Sequence, residues 1–224
     1  METLIQDLRY GVRMLIKGRT FTLMTILILA LGIGATSAIF SVVNVILLKP
    51  LPYKDAERIV MLWENNPRLQ LGIDNLPASA GNFVDWQSRT RSFEHIAALM
   101  PDAFNLTGVG DPERLAGARV SANLFQLMGV EAKPGNTFSL DADKPENSNV
   151  VILSHSLWQR RFGSDPNIVG RALTLDAKSY TVVGVMPEGF RYPSASDLPP
   201  SFDPPQHCEL WVPLALTATQ ISKR

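Results

Sequence analysis

The chain has 224 residues, enough for one large domain or two small ones, with 21 basic and 21 acidic side chains. That balance excludes the one-signed field expected of a nucleic-acid binder. A single cysteine, Cys208, excludes an intrachain disulfide and leaves the redox compartment open.

The balance hides an asymmetry, because Arg9, Arg13, Lys17 and Arg19 oppose only Glu2 and Asp7 in the first 20 residues. In METLIQDLRYGVRMLIKGR, Leu4, Ile5, Leu8, Val12, Leu15 and Ile16 recur close to one helical face. Arg9, Arg13 and Lys17 recur every four residues on another. This spacing predicts an amphipathic interfacial helix over 1–18 lying on a membrane leaflet, with Gly18 marking the bend into the next segment.

From Phe21 to Leu48 no charge occurs in 28 residues. About 20 apolar residues suffice to span a bilayer, so 19–48 is expected to be a transmembrane helix. A cleavable signal peptide fits less well, since its apolar core should end after about 7–15 residues. Within the run, LALGIGATSAIF carries Gly32 and Gly34 before Thr36 and Ser37, which invites comparison with a phosphate-binding loop. That loop needs a lysine after its last glycine and a strand-to-helix turn, and both are missing. Ala30, Gly34 and Ala38 instead fall on one helical row, the spacing that lets a second helix approach closely. The basic flank outweighs Lys49, Lys54 and Arg58 after the span, which places the N-terminus in the cytoplasm and 49–224 outside.

Beyond the prolines of KPLPY, Arg58–Glu64 (RIVMLWE) reads as a strand and NNPRLQLGIDNLPAS as a loop. Ser79 is expected to cap a helix through Phe83, Trp86 and Gln87. SFEHIAAL, DAFNLTGVG and ERLAGARVS read as short strands. RVSANLFQLMG and ILSHSLWQRRFG then share an order: a strand end, a serine cap (Ser121, Ser154), an apolar pair, and a stopping glycine (Gly129, Gly163). Ala172–Leu175 and Tyr180–Met186 form a hairpin candidate around a turn at Asp176–Lys178. CELWVPL is the last strand, after a proline-rich loop from Pro193 to Pro205. Repeated strand–cap–helix units predict an α+β domain, a mixed sheet with helices on one face.

Reactive clusters are few. His207, Cys208 and Glu209 are adjacent, but neighbours on a strand alternate faces and no second pair completes a metal site. Ser154 beside His155 lacks a nucleophile elbow and reads as a cap. Asp141, Asp143 and Glu146 do not complete a calcium loop. Trp158 with Arg160 and Arg161 reads as a core residue with solvated arginines. Asn105-Leu106-Thr107 fits a glycosylation sequon, and GVGDPER is a turn without the setting of a nucleotide fingerprint. The expectation is a non-enzyme with no metal and no cofactor of its own.

VVILSHSLWQRRFGSDPNIVGRALTLDAKSYTVVGVMPEGFRYP, GARVSANLFQLMGVEAKPGNTF and ELWVPL closely resemble the periplasmic core domain of MacB-like ABC transporter permeases. The N-terminal DLRYGVRMLIKGRTFTLMTILILALGIGATSAIFSVVNVILLKPLPY is similar to the start of duplicated MacB/FtsX-like permeases found notably in acidobacteria. The resemblance implies a basic coupling helix, a first transmembrane helix and, over 49–224, a periplasmic domain with porter-like βαβ units. Such permeases continue to three further spans, so this sequence resembles their N-terminal part and the 49–224 domain is expected to be incomplete.

The resemblance further implies a bacterial inner-membrane location and ATP bound by a separate ABC ATPase subunit. It implies a permease homodimer or other permease segments, and a periplasmic adaptor, as partners. Motion from the ATPase would pass to the periplasmic domain for efflux or mechanotransmission. Coupling roles then fall to Arg9, Arg13 and Lys17 at the base, and to Gly32, Gly34 and Ala38 along the span. A second reading is a single-pass, membrane-anchored periplasmic binding or scaffold module without transport activity.

Overall fold

A computed structural model describes residues 2–43, 55–65, 76–193, 198 and 207–222. The chain divides into two compact units, Met1–Leu51 and Pro52–Arg224. KPLPY, most of the loop after Asn65 and most of the Pro193–Pro205 loop lie outside the described residues.

The first unit holds α1 (Glu2–Lys17) and α2 (Arg19–Val43), separated by Gly18 alone. The Gly18 N–H donates to Met14 O and its carbonyl accepts from Thr22 N, both at 3.0 Å. Thr22 Oγ1 also donates to Leu15 O at 2.7 Å, a seven-residue reach that a straight helix rising about 1.5 Å per residue does not allow. Within α2, Thr25 Oγ1 donates to Phe21 O and Thr36 Oγ1 to Gly32 O, at 2.9 and 2.8 Å. These hydroxyls are satisfied on their own helix, as a hydrocarbon environment requires. Arg19–Ser41 is long and apolar enough to cross a membrane.

The second unit begins with a 3-10 turn at Ala56–Arg58, followed by α3 (Ala80–Arg89), β1 (Leu99–Thr107) and β2 (Glu113–Val120). Next come α4 (Leu124–Leu127), two 3-10 turns at Leu140–Asp143 and Pro145–Asn147, β3 (Val150–Leu153) and α5 (His155–Phe162). The order ends with β4 (Ala172–Leu175), β5 (Lys178–Val185), β6 (Leu210–Pro213) and α6 (Ala218–Ile221). The sheet is mixed, as the sequence predicts: β2 and β6 are parallel, as are β3 and β5, while the other pairs are antiparallel. It also closes on itself in the order β1-β2-β6-β3-β5-β4. The seam is short, only Leu106 with Leu175 and Thr107 with Thr174.

Alternation along the strands sorts side chains into two cores. Leu210 and Val212 join one cluster while Trp211 between them joins the other. The first cluster draws on all six strands, from Phe104 and Leu106 of β1 to Val182 and Val185 of β5, with Leu157 and Phe162 of α5 packed onto it. The second gathers Leu124 and Phe125 of α4 with Phe138, Ile152, Phe190 and Trp211. Between Val182 and Val185 the parity changes because Val183 is an extra residue where the register with β3 shifts, a β-bulge. Gly117 on β2 permits the close approach of strands inside the first core. An added Cβ there would lie 2.8 Å from the Phe104 ring and 2.9 Å from Leu210 O.

Several local expectations are corrected. Arg58–Glu64 is not a strand; apart from a single bridge between Glu64 and Leu76, it has no ladder partner among the described residues. SFEHIAAL has no strand before Leu99. The hairpin turn is two residues, Asp176 and Ala177, both left-handed (φ 49° and 62°), so β5 starts at Lys178 as in a type I′ hairpin.

Candidate functional site

The residues expected to couple motion are all on the first unit. Arg9, Arg13 and Lys17 are exposed along α1, as are Leu15 and Ile16. On α2, Gly32, Gly34 and Ala38 are exposed, and a Cβ added at Gly32 or Gly34 meets nothing within 4 Å. Within the first unit nothing described fills the small-residue row, which is the spacing that suits a neighbouring helix.

On the second unit, the reactive-looking clusters resolve into structural roles. Ser154 Oγ accepts from Leu157 N at 3.1 Å and so caps α5. Its other contact is Ser156 Oγ at 3.0 Å, while His155 turns to the Trp158 ring. Trp158 is partly buried against the first core and its Nε1 donates to Asp165 O. Arg160 is held between Glu113 Oε1 at 2.6 Å and Glu209 Oε1 at 2.7 Å. Arg161 Nη2 donates to the carbonyls of Val109 and Asp111. The two arginines therefore tie α5 to the β1–β2 loop and to β6, a role the sequence does not announce because the glutamates lie about 50 residues away on either side.

Carboxylates of the 139–147 segment point to different partners. Asp141 pairs with Lys144 Nζ at 2.6 Å, which holds its carboxyl below the usual range, first through that hydrogen bond. Asp143 Oδ2 accepts from Ala122 N at 3.0 Å. Burial pushes its carboxyl up, against the opposing help of backbone N–H groups. Cys208 is buried in the second core with its thiol pushed up by the same cause, whereas Glu209 is committed to Arg160. No group of three or more potential metal ligands occurs among the described residues.

Cap predictions divide. Ser79 Oγ accepts from Asn82 N, as expected, and Glu64 Oε1 reinforces that helix start by accepting from Ser79 N and Asn82 Nδ2. Ser121 does not cap α4. Its Oγ accepts from Ala98 N and bonds Asn123 Oδ1, and the residue at the cap position is Asn123. Asn105 Nδ2 already donates to Asp176 Oδ1 at 2.7 Å.

Two open clefts accompany these elements. One of about 370 Å³ runs between Asn136–Ser139 and Thr181–Val183, and one of about 220 Å³ lies among Leu62, Trp63, Trp86 and Phe93. Both are lined by uncharged residues, so neither presents an acid, base or charged nucleophile.

A mixed, closed sheet with capped helices thus follows a helix long and apolar enough to cross a membrane. The MacB-like periplasmic core domain family matches residues 22–223, and the chain belongs to that family. Over 66 residues it is 36% identical to the probable syringafactin export ATP-binding/permease protein SyfD of Pseudomonas syringae pv. tomato, a match covering 30% of this chain and 10% of that relative. The chain thus spans about a tenth of the length of the curated relative it matches.

Among solved structures, it is similar to the extracellular domain of the ABC-type transporter YknZ from Gram-positive bacteria. That likeness has 13% identity and a TM-score of 0.45, covering 59% of this chain and 61% of that one. The periplasmic region of MacB from Actinobacillus actinomycetemcomitans gives 18% identity and a TM-score of 0.45, covering 72% and 67%.

Proposed function

We propose that this chain is a permease component of an ABC transporter that passes motion from a cytoplasmic ATPase to a periplasmic domain, for efflux or mechanotransmission. The observation that carries the reading is the family match over 22–223, which joins the apolar helix and the closed sheet in one architecture. A helix of 28 uncharged residues would extend about 42 Å, long enough to link the two sides of a bilayer as a rod. In this reading 1–18 lies on the cytoplasmic leaflet, 19–48 spans the inner membrane, and 49–224 is periplasmic. Arg9, Arg13 and Lys17 anchor the base of the rod. Gly32, Gly34 and Ala38 seat it against permease helices, of a homodimer or of other permease segments. ATP is bound by the separate ATPase subunit, and an adaptor meets the domain outside.

The test is purification of the full chain from its native membranes in mild detergent. Recovery of an ABC ATPase, weakened by Gly32→Ile with Gly34→Ile, supports the reading; a chain recovered without any ATPase or permease overturns it and leaves a membrane-anchored binding module. A reporter fused after Arg224 is expected to be active only outside the cytoplasm, and activity inside reverses the topology.

A further inference from the structure

In an antiparallel pair, the backbone N–H and C=O of alternate residues face the partner strand, and those between face away. Just before β1, Ala98 faces β2, because its carbonyl accepts from Ser121 N and its N–H donates to Ser121 Oγ. The odd-numbered residues of β1 therefore face away. Asn105 agrees, since its N–H donates to Asp176 Oδ1 and its carbonyl accepts from Asp176 N, both at 3.0 Å. On that outer side β4 reaches only Leu106 and Thr107. From Leu99 to Asn105, no described strand pairs with that outer side.

Such an edge is a ready template for another strand. A copy of the same edge is the most available partner, since antiparallel pairing across a two-fold axis is self-complementary. Yet at three of the four outward positions the donor is withdrawn. Pro101 has no N–H. The Ala103 N–H donates at 2.8 Å to Asp102 Oδ1, and that of Asn105 goes to Asp176. Asp102 is itself held, because its Oδ2 accepts from Arg119 Nε at 2.7 Å, and the Arg119 guanidinium lies 5.3 Å over the Phe104 ring.

We infer that the outer edge of β1 is a guarded pairing surface: Pro101, together with Asp102 held by Arg119, keeps a second copy of the chain from adding to the sheet. The guard works by removing donors rather than by covering them, so it acts on the folded domain without a further partner.

Residue-resolved hydrogen exchange on the full chain in detergent tests the guard directly. The Ala103 amide is expected to be protected although no described strand accepts from its N–H. Asp102→Ala should speed its exchange by about tenfold or more, whereas Asp102→Asn, which keeps an acceptor oxygen, should retain the protection. The Phe104 amide faces β2 and should not change in either variant, which shows that the sheet is intact. With Pro101→Val added to Asp102→Ala, the mass by light scattering should rise with concentration above that of the unmodified chain. Unchanged Ala103 exchange in Asp102→Ala overturns the guard. So does a double variant that keeps the Phe104 protection yet matches the unmodified chain in mass at every concentration.

Discussion

Ile28, Leu31 and Ile33 of α2 are 65–67% exposed, whereas Ile152, Leu153 and Leu157 of the second unit are fully buried. The same side chains thus meet opposite fates within one chain. In the second unit the closed sheet supplies its own apolar environment, with every strand contributing to one core. In the first, two helices cannot cover each other's apolar surface, and a run of exposed leucines and isoleucines needs lipid or other helices around it. The difference teaches where mutations will be felt: in the second unit through folding, in the first through what lies outside the chain.

The largest expected effects sharpen that contrast. Trp211 is fully buried against Phe125 and Phe190, so Trp211→Ala should destabilise the domain by about 3–5 kcal/mol, read by denaturant unfolding in detergent. Leu153→Ala should cost about 2–5 kcal/mol by the same mechanism. Leu31→Ala, a chemically identical change on α2, should leave that unfolding midpoint where it is; an equal loss would mean that α2 packs on the domain. Leu31→Arg tests the other side, with an expected insertion penalty of about 3 kcal/mol measured by membrane-insertion assay and no change in domain stability. Next in size, Gly117→Ala should cost about 1–3 kcal/mol, because its Cβ meets the Phe104 ring and a backbone oxygen. Ser154→Ala removes the cap of α5 and should cost about 1 kcal/mol.

How far the sequence reveals these features depends on how local their causes are. Ser79 and Ser154 are readable as caps because the N–H groups they satisfy lie three residues away. Gly163, at φ 60°, is readable as a stop because its conformation disfavours a side chain. Ser121 has the same sequence setting as Ser154, but its oxygen is claimed by Ala98 N across the strand pair, which no local pattern records. RIVMLWE has strand composition but, among the described residues, only the Glu64–Leu76 bridge to pair with, and a ladder is a property of two segments. Closure of the sheet rests on two residue pairs between β1 and β4, separated by about 70 positions. The residues proposed to couple motion are legible as residues, since Arg9, Gly32 and Gly34 stand out by spacing alone.

The smallest effect separates the two units by pH rather than by packing. Asp143 is half-buried, and its carboxyl is helped by the backbone N–H groups of Ala122 and Ala215. Burial raises its carboxyl pKa in the folded domain, so between the unfolded and folded values the folded state binds more protons. Stability then falls as pH rises through that window, and the cost is fully present above the folded value. Asp143→Asn keeps an oxygen to accept from Ala122 N but has no charge to desolvate. The substitution is therefore expected to raise the unfolding midpoint at pH 7 and to leave it nearly unchanged at a pH below both values, where the aspartate is already neutral. An effect equal at both pH values would show that the Asp143 carboxylate carries no net burial cost, and would assign the change to packing alone. Insertion of α2 should be indifferent to the same substitution, because no titrating group of the second unit enters the energetics of an uncharged span.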